Sequence, residues 1–190
     1  SKILITSLQD KFNKFANSYR SVYKEGKNSI QQLLSLGIEI PEAYKLAARY
    51  TLSTDFNDLF KNSENICNEN VFQRANEINQ EALSFKVEIY KKPANKIFSS
   101  EIKKQITDFV QNFEIQRLNK ILKLFEYAAK LQLKVDIAEA QNMYFNKIYM
   151  QFTQLLDSVL KSNDNLEEVR EFLFSLLVLG EYLNINTEFY

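Results

Sequence analysis

Only three glycines and two prolines punctuate the 190 residues of this chain, and that scarcity constrains the fold more than any other feature. Hairpins and strand turns draw on glycine and proline for backbone angles that other residues reach only at a cost. Apolar residues recur instead at alternating steps of three and four, the spacing of an amphipathic helix. Leu8, Phe12, Phe15, Tyr19 and Val22, then Ile30 and Leu33, form the first stripe, with Gly26 a soft point inside it. Pro41 stands where a first helical residue would and opens a segment through Ala43, Leu46, Ala47 and Tyr50. Ser53-Thr54-Asp55 offers a cap for a short helix holding Phe56, Leu59 and Phe60. A further stripe runs from Val71 to Ile89, and Pro93 is expected to stop it.

Beyond Pro93, Ser99 or Ser100 can cap a helix bearing Ile102, Ile106, Phe109 and Phe113, and another helix carries Ile115, Leu118, Leu122, Phe125 and Ala129. Asp136 with Glu139, and Asp164 with Glu167, match a capping box, in which two side chains satisfy orphan N–H groups of a first turn. The last helix carries Leu166, Val169, Leu173, Leu176, Gly180 and Leu183, with Phe172, Phe174, Leu177, Val178 and Leu179 on its other sides. A helix that is apolar all round is expected to be covered all round. It is therefore either the central rod of the bundle or meets a surface outside this chain. The fold expected is all-α, a multi-helix bundle of about six or seven helices with short connectors, in a single helical domain over residues 1–190.

Three stretches share a short apolar–polar alternation: Leu36-Gly37-Ile38-Glu39-Ile40 before Pro41, Leu131-Gln132-Leu133-Lys134-Val135 before Asp136, and Leu183-Asn184-Ile185-Asn186. Each follows a helical stripe and reads as an extended connector, a weak sign of a duplicated helical unit.

Composition removes several function classes. Hydrophobic residues at 45% and charged residues at 25% are ordinary for a folded domain. The 24 basic and 24 acidic residues cancel, so no overall field draws the chain to nucleic acid or to anionic lipid. The local cluster Lys91, Lys92, Lys96, Lys103 and Lys104 reads as a solvated helix face. The longest apolar run, around Phe172–Gly180, falls far short of the ~20 residues of a membrane span. Cys67 is the only cysteine, so no internal disulfide forms and a reducing, cytoplasmic setting is expected; it reads as a small apolar residue more than a nucleophile. The chain opens on Ser1-Lys2-Ile3-Leu4 without methionine or leader-peptide pattern, and so is expected to be an excised piece of a longer polypeptide.

With no histidine anywhere, Ser-His-Asp and Cys-His catalysis and histidine-bearing zinc sites are excluded. Gly26, Gly37 and Gly180 are isolated from one another, so no glycine-rich phosphate loop exists, and no calcium loop is present; neither cofactor nor metal is expected. Carboxylate pairs alone could still hydrolyse a glycosidic bond. Glu167, Glu168 and Glu171, however, read as solvated helix positions, and most of the ten tyrosines fall on helical stripes.

The most informative stretch is Val135–Phe145. Its stripe reads Ile137, Gln141, Tyr144, Ile148, Phe152, Leu155 and Val159, which seats the Gln141 amide on an apolar seam and Asn142 on its flank. A buried amide without partners costs about 1–3 kcal/mol, so a loop carbonyl, another helix or a ligand must bond it. This stretch resembles a motif in the helical region that follows the catalytic barrel in a branch of glycoside hydrolase family 57, the α-amylase/α-mannosidase-like proteins. Val135, Asp136, Ala140, Gln141, Asn142 and Tyr144 fit that motif, Ile137 is a conservative change, and Ala138 stands where the family has tryptophan. Ile40–Asp55 is similar to the family's proline-opened, alanine-rich helix, and Phe12–Leu36 to the helix before it, so the likeness runs in order from about Leu8 to Leu183.

The resemblance implies a non-catalytic C-terminal module, a domain of unknown function in a carbohydrate-active hydrolase. It would pack against an N-terminal barrel of the same polypeptide that holds the catalytic carboxylates. It implies contact with oligosaccharide or polysaccharide only through that parent, and makes Asp136, Gln141, Asn142 and Tyr144 candidates for lining the cleft or touching the barrel. The alternative reading is a freestanding helical adaptor or scaffold that binds a partner protein, which would show a large exposed apolar patch and oligomers in solution. A complete small enzyme using paired carboxylates is the third.

Overall fold

The computed structural model describes residues 2–62, 66–150, 152, 154, 157, 161 and 166–185. The chain is all-α: α1 Lys2–Ser35, α2 Glu42–Asp58, α3 Glu69–Ser84, α4 Lys92–Asn112, α5 Ile115–Lys130, α6 Ala138–Tyr144 running on as a π-helical turn Phe145–Tyr149, and α7 Leu166–Tyr182. Among the described residues no strand occurs and no helix is long and apolar enough to cross a membrane. Leu155, Val159, Asp164 and Asn186, which the sequence sets on a stripe, in a capping box and in an alternation, lie outside the described residues, as does the side chain of Leu8.

The single domain expected over residues 1–190 divides by its contacts into two compact units. The first comprises Ser1–Lys61 and Gln73–Lys91. Helices α1 and α2 pack against each other there, over a core that includes Ile30, Ala47, Leu52, Phe56 and Phe60. Tyr23, Tyr44 and Phe85 form a three-ring cluster, with Tyr44 5.7 Å and Tyr23 6.1 Å from the Phe85 centroid. Gly26 makes room for it: a β-carbon there would lie 2.7 Å from Tyr44 Cε2. The second unit comprises Asn62–Phe72 and Lys92–Tyr190. Helix α4 packs against α5 and α6, and α5 against α7. Phe98, Ile102, Ile106, Phe109, Leu118, Ile121, Leu124 and Leu176 are sealed from solvent in its core.

Several boundaries differ from the sequence expectation for identifiable reasons. Ser53, Thr54 and Asp55 do not cap a new helix; α2 runs through them to Asp58. Each has another partner: Ser53 Oγ accepts from the Tyr90 N–H at 2.9 Å, Thr54 Oγ1 donates to Tyr50 O at 2.8 Å, and Asp55 pairs with Arg20 at 2.8 Å. A capping residue engaged this way no longer competes with its helix. Pro41 is the N-cap of α2 and not its first residue. Pro93 does not stop α3. It lies in the first turn of α4, where its missing N–H has no intrahelical partner to lose. Neither Ser99 nor Ser100 starts a helix, because both lie inside α4.

Helix α7 is covered on one face by burial of Val169, Phe172, Leu176 and Leu179, while Phe174 is 66% exposed. Coverage on every side is therefore not what the chain itself provides.

Candidate functional site

Four helices end in the same way. After α1, the Ile38 N–H donates to Leu33 O at 2.9 Å and the Gly37 N–H to Leu34 O at 3.0 Å. The pairs Val87 to Ala82 with Lys86 to Leu83, Leu133 to Ala128 with Gln132 to Ala129, and Ile185 to Gly180 with Asn184 to Glu181 repeat it at 2.8–3.0 Å. This is the Schellman arrangement, which satisfies carbonyls left over at a helix end. It requires a left-handed residue, found at Gly37 (φ 71°), Lys86 (φ 54°), Gln132 (φ 53°) and Asn184 (φ 52°). Three of these ends are the alternations seen in the sequence. The fourth, Phe85-Lys86-Val87-Glu88-Ile89, escapes notice there because it reads as the tail of a helical stripe. Successive ends fall about 50 residues apart, the length of a helix-pair repeat.

The last three connectors are each held by a polar side chain from the helix that follows the preceding connector. In the first unit Asn57 of α2 donates through Nδ2 to Tyr90 O at 2.7 Å, beside the Ser53 bond to the same residue's N–H. In the second unit, Asn95 Oδ1 and Ser99 Oγ of α4 accept from the N–H groups of Lys134 and Asp136 at 3.1 and 2.9 Å. There too, Gln141 of α6 donates through Nε2 to Leu183 O at 2.7 Å. At the first connector Leu36 is 73% exposed, whereas Phe85, Leu131 and Leu183 at the matching positions are buried.

The four residues singled out by sequence fall in this framework. Asp136 is exposed, and its Oδ1 accepts from the Ala138 N–H at 3.2 Å, one residue into the first turn of α6. Glu139 does not fold back to complete a capping box; it pairs with Lys103. Gln141 is half-buried, and the carbonyl of Leu183 supplies the partner its amide needs. Tyr144 is buried and donates to Leu176 O at 2.7 Å; burial pushes its hydroxyl up to about 12. Asn142 is exposed. Gln141 and Tyr144 thus both reach towards α7 and its end, and Asp136 orders the turn that aims them. Asn57, Asn95 and Ser99 do equivalent work, and sequence reasoning missed them. The one signal available was a pair of short polar side chains four residues apart on an otherwise amphipathic helix.

No cluster of histidine, cysteine and carboxylate suited to a metal occurs among the described residues. Cys67 is half-buried, and burial pushes its thiol up, away from the thiolate a nucleophile needs. Elsewhere in the first unit Tyr23 hydrogen-bonds Glu81, which also pairs with Lys27; burial and then the Glu81 carboxylate raise Tyr23, so the phenol stays protonated. An open hollow of about 420 Å³ in the second unit has Phe72 stacked on Tyr127 at 4.1 Å. Its charges, Glu69 and Lys123 with Glu126 and Lys130, pair among themselves. None of these groups is poised for chemistry. Comparison of the chain with protein families, curated proteins and solved structures finds no match.

Proposed function

We propose that this chain is a non-catalytic helical-repeat module whose work is to bind protein. The observation that carries the reading is a set of large apolar side chains left open on the first unit: Leu36, Ile38, Leu46, Leu83 and Tyr90 are all exposed, as in part is Tyr50. Where exposed side chains of that size adjoin, they mark an interaction surface. The recurring clamped helix end supports it as well, since proteins built of repeated helix pairs commonly serve as binding surfaces. The test is a photoreactive residue placed at Leu46 or Tyr90, with Lys104 as the control position. A binding module crosslinks a discrete protein from the first two positions and not from the third. Equal yield from all three, or turnover of a glycoside by the purified chain, overturns the proposal.

A second reading, the C-terminal module of a family 57-like glycoside hydrolase, is favoured by Phe174, which leaves one face of an apolar α7 open for a neighbouring domain. On this reading Asn142, the one exposed amide of its motif, faces the sugar cleft, and Gln141 and Tyr144 position α6 behind it. The coding sequence upstream of Ser1 decides it, because a reading frame without a barrel there removes the reading. In a full-length parent, Asn142→Ala should lower turnover per folded molecule, whereas Gln141→Ala should lower stability.

A further inference from the structure

No further inference is drawn: the strongest candidate, the apolar patch of Leu36 and Ile38 on the first connector, exposed where Phe85 and Val87 at the matching positions of the second are buried, carries nothing because nothing in the structure shows what covers it.

Discussion

Replacing Asn57 by alanine isolates the best-buried clamp. Its Nδ2 lies 2.7 Å from Tyr90 O and 2.6 Å from Ser53 O, in a side chain that is 9% exposed. The Ser53 carbonyl already belongs to the α2 ladder, so losing that contact costs little. The Tyr90 carbonyl, in contrast, is left part-buried and short of a donor. An orphaned acceptor of that kind costs about 1–3 kcal/mol, to which the emptied side-chain volume adds. With a urea slope of about 1–2 kcal/mol per molar for a unit of this size, the first unit's midpoint should fall by about 1 M. Hydrogen exchange reports the two units separately, which a single optical transition does not. Exchange at the amide of Tyr90, held by Ser53, should accelerate most, with the second unit unaffected. The sharper test is the order of variants. Asn57→Asp keeps the shape but presents only acceptors to two carbonyls, so it must be less stable than Asn57→Ala. An aspartate equal to or better than alanine would refute the clamp.

Thr51 is 1% exposed, and its Oγ1 is buried without a hydrogen-bond partner. Thr51→Val keeps the shape and removes that desolvated hydroxyl, so the urea midpoint should rise, by about 1 kcal/mol of stability. Gly26→Ala would ordinarily strengthen a helix by about 1 kcal/mol. Here its β-carbon meets Tyr44, whose hydroxyl is tied to Tyr23 O at 3.1 Å, so the thermal midpoint should fall instead. Burial raises Tyr44 and Tyr144 from 10.0 to about 12 in the folded chain. Their contribution is therefore complete below pH 10 and is lost as pH climbs through 12, because the unfolded chain releases its phenolic protons first. Denaturant titrations from pH 9 to 12 should show that decline, and Tyr144→Phe should flatten it.

Helix number and class were legible because the three-and-four spacing of apolar residues survives whatever the tertiary partners are. Helix starts were not. Ser53 and Ser99 carry the same side chain a cap would, and only the partner arriving from Tyr90 or Asp136 tells a clamp from a cap. Pro93 was ambiguous for a related reason, since proline both closes one helix and opens the next. The end of α3 was hidden because Phe85 and Ile89 fit a helical stripe, while Lys86 takes a left-handed angle with no glycine to announce it. Gln141 was correctly read as an amide requiring a partner, but which atom answered it depended on Leu183, 42 residues away.

The choice of clamp residues follows from matching two periodicities. Along the connector after α5, Leu133, Val135 and Ile137 are half-buried, while Lys134 and Asp136 are exposed. That alternation is the two-residue period of extended backbone, which brings N–H groups two residues apart to the same edge, about 6.6 Å from each other. On a helix, side chains four residues apart lie on one face about 6.0 Å apart. Asn95 and Ser99 therefore meet Lys134 and Asp136 in step, each through an oxygen that accepts. Ser53 and Asn57 share that four-residue spacing but close on a single residue, Tyr90, so one must accept from its N–H and the other donate to its carbonyl. Serine and asparagine meet these demands because each carries an acceptor on a short stem, and asparagine adds the donor. If the match of spacings governs, Ser99→Thr keeps the second connector's protection and Ser99→Val, of the same shape, loses it at Asp136 alone. Loss spread evenly from Lys134 to Asp136 would mean that the connector is held by its buried side chains instead.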